Sequence, residues 1–167
     1  MARYKRKKSE GKIAHKKTTI DGITFDSKME SDYYVYLKAE QKAGRILKFE
    51  TQPEFVLQER FIIVEGKSIP DSNPDFDKLK RKHKAPINRA IKYIADFLVV
   101  YADKSVKVID VKGIKTADFK IKEKMFNFKY PDMNFECVIW DGPSKAWLEY
   151  SEYEKAKKAR KKSKSKK

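Results

Sequence analysis

The sequence predicts an α/β fold, a central mixed sheet flanked by helices, with core elements in the order α-β-β-β-α-β. Two observations lead there. Strand-length apolar runs are interspersed with two segments of helical grammar, and two of the runs, "IKYIADFLVVY" (91–101) and "VKVIDVKG" (106–113), are apolar on both faces. A sheet covered by helices on each side produces that pattern. With 167 residues, 40% of them hydrophobic, the chain suits one domain around a single core.

Along the chain, "TTIDGITF" (18–25) reads as a short hairpin turning at Asp21-Gly22. "DSKMESDYYVYLKAEQKAG" follows as a helix: Asp26 or Ser27 can cap it, Ser27 with Glu30 matches the S-x-x-E capping box, and Gly44 closes it. "ILKFETQPEFVLQERFIIV" (46–64) is β-like, interrupted by Pro53. Residues 65–90 break all periodicity, and three prolines with the cluster "KLKRKHK" predict a long, basic, mobile connection. The runs 91–101 and 106–113 form a hairpin across "ADKS". A helix spans 116–130, with Thr116 as cap and Pro131 as stop, and "NFECVIW" (134–140) is the last strand. "SKAWLEYSEYEKAKKARKK" begins as a helix and frays into a tail.

The formal charge of +16 is unevenly placed. Residues 1–17 carry a net +7 and residues 155–167 a net +9, so residues 18–154 are balanced, with 23 bases and 23 acids. A neutral body with two cationic arms matches a polyanion, because each phosphate contact releases counterions; the competing reading is a pair of disordered solubilising tails. The basic loop adds Lys80, Arg81, Lys82, Lys84 and Arg89 as candidate nucleic-acid contacts. No apolar stretch nears the ~20 residues of a membrane span. The N-terminus lacks the apolar segment of a secretory signal, and the single Cys137 fits a reducing compartment, so the expectation is a cytoplasmic protein without a membrane partner. His15, His83 and Cys137 are too scattered to hold zinc.

Asp96, Asp110 and Lys112 are charges in otherwise apolar strands, where desolvation is costly without a partner or a task. Strand periodicity puts Asp110 and Lys112 on one face. Asp96 and Asp110 lie symmetrically about Asp103, so an odd-length loop centred there makes them direct cross-strand neighbours, with Cβ atoms roughly 4.5–5.5 Å apart. A two-residue loop would put them on opposite faces. Paired carboxylates repel, and a hard cation such as Mg²⁺ removes that objection. A structural Asp–Lys ion pair is the competing reading. Glu30 shares a helical stripe with Tyr33, Tyr34 and Leu37 and either joins the acids or serves only the capping box. Gln52 either brings its amide toward a metal or phosphate or is a turn residue before Pro53. Lys122, aligned with Phe119 and Phe126, either faces the site or snorkels off an apolar stripe.

The ordered set "FDSKME", "QPEF", "YIADF", "IDVKG" and "KEKMF…YP", over roughly residues 18–140, resembles the PD-(D/E)XK nuclease superfamily, in particular its phage-encoded Holliday-junction-resolvase-like branch. Ala95 stands where that pattern has proline, and Asp110 where glutamate is more usual. The resemblance implies a restriction-endonuclease-like core across residues 18–154. It implies catalytic roles for Glu30, Asp96, Asp110 and Lys112, with the three acids as metal ligands and Gln52 and Lys122 as auxiliaries. It further implies Mg²⁺, with Mn²⁺ substituting, and a homodimer acting on branched DNA. The expectation is therefore a metal-dependent DNA endonuclease; a non-catalytic nucleic-acid-binding protein on the same scaffold is the alternative.

Overall fold

A computed structural model describes residues 17–164. The expected N-terminal arm, residues 1–17, lies outside them except for Lys17, as do residues 165–167 of the expected tail. The described chain is a mixed α/β structure whose central mixed sheet is flanked by helices.

Strands β1 (Thr18–Ile20) and β2 (Ile23–Phe25) form the expected hairpin. Its turn residues Asp21 and Gly22 both have positive φ, 54° and 77°, as a two-residue turn of matching twist requires. Helix α1 (Lys28–Lys42) starts at Ser27, whose Oγ accepts from the Glu30 backbone N–H. Strand β3 (Ile46–Thr51) runs into β4 (Glu54–Gln58), and the chain continues through β5 (Phe61–Val64), β6 (Lys67–Pro70) and α2 (Phe76–His83). Then come β7 (Ile91–Ile94), β8 (Phe97–Tyr101), β9 (Val106–Val111), α3 (Ala117–Lys129), β10 (Asn134–Asp141), β11 (Ala146–Glu149) and α4 (Tyr150–Lys164).

The main sheet has five strands in the order β11-β10-β9-β8-β3, with β9 and β10 parallel and the other neighbours antiparallel. Alternation along β9 sorts its residues between two layers. Ile109 and Val111 pack with Tyr33, Tyr34 and Leu37 of α1. Val108 points the other way, with Phe119 and Phe126 of α3 and with Phe55, Leu57 and Tyr93. Helices on both faces account for the double-faced apolarity.

Four expectations change. Residues 65–90 are not a structureless connection. A β5–β6 hairpin turns at Glu65-Gly66 (φ 51° and 76°), and α2 packs Phe76 and Leu79 against Ile62, Val64 and Ile69 in a small core of its own. The run 91–101 is two strands, because β7 leaves the main sheet to pair with β4. Residues 146–149 form a strand that pairs with β10 before α4 begins, with Trp147 opposite Trp140. Finally, residues 155–164 continue α4 rather than starting a flexible tail. Arg160 clamps that helix to the buried Asp141 through Nη1 and Nη2, at 2.7 and 2.6 Å.

No helix among the described residues is long and apolar enough to cross a membrane.

Candidate active site

The β8–β9 hairpin decides whether the two aspartates meet. Its loop holds three residues: Tyr101 N–H donates to Ser105 O (2.9 Å), and Lys104 adopts φ 67° to close the turn. The register follows, with Phe97 opposite Ile109 and Leu98 opposite Val108. One step further places Asp96 level with Asp110, as an odd-length loop requires.

Asp96 sits at a corner. Strands β3–β4 and β7–β8 form one long antiparallel ribbon that keeps its register from Lys48 to Val56, Thr51 opposite Phe97 and Glu54 opposite Ile94. The ribbon bends between them, where Gln52 N–H donates to Asp96 O (2.9 Å) and Ala95 N–H donates to Pro53 O (3.1 Å). Pro53 cannot donate to a ladder and Gln52 has φ 54°, so the bend falls where the sequence first breaks β-regularity. At the bend the Asp96 side chain turns toward β9, where Oδ2 accepts the Val111 N–H at 2.7 Å. Across the sheet, Gln52, Asp96, Asp110 and Cys137 occupy one row, since Cys137 is the β10 neighbour of Asp110.

Asp110 is 1% exposed. The buried Tyr93 hydroxyl donates to its Oδ2, and Lys112 Nζ lies 2.5 Å from its Oδ1. Both oxygens of this buried carboxylate are thereby met, Oδ2 by the phenol and Oδ1 by the ammonium. Lys112 also rests over the Phe119 ring, 5.5 Å from its centroid. Burial lowers the ammonium's pKa, but Asp110, Asp96 and Glu30 outweigh it and hold the group above its usual range. For Asp96, burial and the neighbouring charge of Asp110 push the carboxyl up to about 7, against the opposing pull of Lys112. Burial likewise raises the Tyr93 phenol, reinforced by Asp110, and raises the Cys137 thiol to about 12, which leaves it an inert neighbour.

Asp110 and Lys112 open into a cleft of about 420 Å³ lined also by Tyr93, Thr116, Phe119 and Lys122. Lys122 therefore faces the site. Gln52 is opposite Asp96 through its backbone, with an exposed side chain. Glu30 stands at the first turn of α1, near enough for its charge to act on Asp96 and Lys112. Its oxygens are engaged in the capping box, Oε1 accepting from Ser27 Oγ (2.8 Å) and Oε2 from Asp26 N–H (3.1 Å). Among the described residues no three His, Cys, Asp or Glu side chains gather into a metal-binding group. Of the candidate phosphate contacts, Lys80, Arg81 and Lys82 lie on α2, Lys84 is its C-cap and Arg89 precedes β7.

The comparison with known families is decisive on one point: a family described as "Protein of unknown function (DUF1064)" matches residues 10–142. The chain belongs to the DUF1064 family. No curated protein and no solved structure matches it. The matched stretch of this DUF1064 chain contains every candidate site residue and stops within the β10–β11 connection, before α4. Sequence reasoning missed Tyr93, which reads as one more apolar position of β7, and Glu54, which lines the cleft and pairs with Lys92 at 2.7 Å.

Proposed function

We propose that this protein is a divalent-metal-dependent DNA endonuclease with the core of the PD-(D/E)XK nucleases. One observation carries the reading: Asp110 and Lys112 open into a cleft, and Asp96 stands level with Asp110 on the neighbouring strand, close enough for the two charges to act on each other. Desolvating such a pair inside an apolar sheet is costly.

The donors fit a hard divalent cation. Asp110 is a buried carboxylate beside a second one, and the pKa of Asp96 is raised by burial and by that like charge, a penalty that a cation relieves. Asp96 and Asp110 would hold Mg²⁺ or Mn²⁺, the two-carboxylate share such ions take alongside substrate phosphate. When bound, the metal polarises a phosphoryl oxygen and makes a water more acidic. The chain's own groups do the rest. Tyr93 fixes the rotamer of Asp110, while Lys112 and Lys122 supply positive charge to the phosphate as it gathers charge in the transition state. Glu30, whose charge acts on Asp96 and Lys112 from α1, would be the third acid of the site.

The basic residues of α2 and the lysines of α4 grip phosphates without reading bases, which suits recognition of branched DNA by shape. Symmetric cutting of a four-way junction implies a two-fold homodimer, acting in the cytoplasm. The test is cleavage of four-way junctions and linear duplex in Mg²⁺ and Mn²⁺. Asp110→Asn abolishes cutting while keeping or tightening binding, because a negative charge next to phosphate is gone. Equal cutting of both substrates removes the junction preference, and no cutting in either metal removes the enzyme.

The non-catalytic reading draws on one feature: Tyr93 and Lys112 already engage both oxygens of Asp110. Under it, Asp110→Asn lowers stability and leaves DNA binding unchanged.

A further inference from the structure

On the α1 side of the sheet lies a second cleft, of about 550 Å³, lined by Lys28, Met29, Asp32, Trp140 and Trp147. The two tryptophans are cross-strand partners on β10 and β11, their rings 5.4 Å apart at 66°. They have different surroundings. Trp147 packs edge-on against Tyr33, 4.8 Å away, at the margin of the main core. Trp140 is 44% exposed and has no such backing. An indole left half in water at a strand end is an informative exception to apolar burial.

Its position is telling. In the parallel β9–β10 register Val138 is opposite Val111, and Lys112 N–H donates to Val138 O at 3.0 Å. Trp140 is therefore level with Gly113, the residue after Lys112. A Cβ on Gly113 would lie 4.0 Å from Met29 Cε, and Met29 lines the tryptophan cleft. Thus the cleft and the Asp96–Asp110–Lys112 cluster share the carboxyl end of β9 from opposite faces of the sheet, the cleft on the α1 side and Asp110 with Lys112 on the α3 side, so a strand bound at both passes around that end. The Lys28 ammonium stands at the rim, paired with Asp32 at 2.7 Å, on a chain of net charge +16.

We propose that Trp140 stacks an unpaired nucleobase of the DNA strand whose phosphodiester lies at Asp96 and Asp110. The occupant is a base rather than an apolar peptide, because the walls are two indoles and Met29 rimmed by the Lys28–Asp32 ion pair, at the same strand end as a cluster suited to phosphate. Stacking on an aromatic face tolerates any base and needs the base free of its duplex partner. The site would then favour junctions, flaps and single strands over intact duplex. This inference rests on the nuclease reading only for the location of the phosphate.

The chain has two tryptophans, and both line this cleft, so its intrinsic tryptophan emission reports on the cleft alone. In EDTA, which prevents hydrolysis, titration with single-stranded oligothymidylate quenches that emission, while an abasic oligomer of equal length binds through phosphates and leaves it unchanged. Trp140→Ala weakens oligothymidylate binding about tenfold and leaves blunt-duplex binding unaltered; Trp140→Phe retains most of the affinity. Equal quenching by the abasic oligomer, or unchanged affinity in Trp140→Ala, overturns the proposal. So does an emission shift that follows protein concentration alone, which assigns the cleft to a second copy of the chain. Base-dependent quenching in a protein that cuts nothing upholds the stacking site and removes only the nuclease reading. Cleavage without such quenching does the reverse.

Discussion

At the scale of single residues, Asp96 sets a testable pH dependence. The ordinary value for its carboxyl is 3.8, and burial with the Asp110 charge raises it to about 7 in the fold. Between those values the unfolded chain has lost the proton that the folded chain keeps. Stability from this group therefore falls as pH rises through the window. The metal-free protein melts lower at pH 8 than at pH 5.5, and Asp96→Asn flattens the difference. A few degrees suffice to see it, since roughly 1 kcal/mol moves the melting temperature about 2–4 °C in a chain of this size. Mg²⁺ raises the melting temperature more at pH 8 than at pH 5.5; an equal rise at both would mean that it binds elsewhere. Glu30 allows a second separation. Ser27→Ala removes the cap and costs about 1 kcal/mol. Glu30→Gln preserves a capping box, so a fall in cleavage with little change in melting assigns its charge to the site. Asp96, Asp110 and Lys112 were legible because a charge in a doubly apolar strand stands out. Tyr93 was not, since a phenol serves equally as packing and as donor, and only tertiary placement decides which.

At the scale of elements, the three-residue loop is the hinge of the whole site. Lys104 occupies a left-handed conformation that β-carbon sterics disfavour, so Lys104→Gly stabilises the protein by roughly 1 kcal/mol in thermal denaturation. Deleting Lys104 leaves a two-residue loop, moves one aspartate to the opposite face and abolishes cleavage, even where circular dichroism shows the sheet retained. The symmetry of Asp96 and Asp110 about Asp103 was visible in the sequence, and so were the Ser27–Glu30 capping box, the Thr116 cap and the Pro53 break. The β5–β6 hairpin was hidden because glutamate, unlike asparagine or aspartate, does not advertise a left-handed turn position. Helix α2 was hidden because its apolar side amounts to Phe76 and Leu79 among charges. Strand β11 was obscured by merging "AWLE" with the helix that follows it.

At the scale of the whole molecule, the basic C-terminus is part of the fold. Asp141 is inaccessible to solvent, and hydrogen bonds from Arg160 and Ser144 hold its carboxyl well below the usual carboxylate range. Removing residues 155–167 strips Arg160 from that buried acid and lowers the melting temperature, so a loss of DNA affinity in such a truncation mixes two causes. Replacing the exposed Lys155, Lys158 and Lys161 with glutamine keeps the clamp. If α4 meets phosphate, the triple variant flattens the dependence of affinity on salt by up to about three phosphate contacts at an unchanged melting temperature.

The β5–β6–α2 unit leaves and rejoins the scaffold through Gln58 and Ile91, which are register partners on β4 and β7. Its entry and exit points are thus already side by side, so it is a detachable cassette. Splicing those two positions with a tight turn would yield a trimmed protein that keeps its acids and indoles but sheds the cationic helix. The acid cluster and the cationic helix are thus carried on separable stretches of the chain.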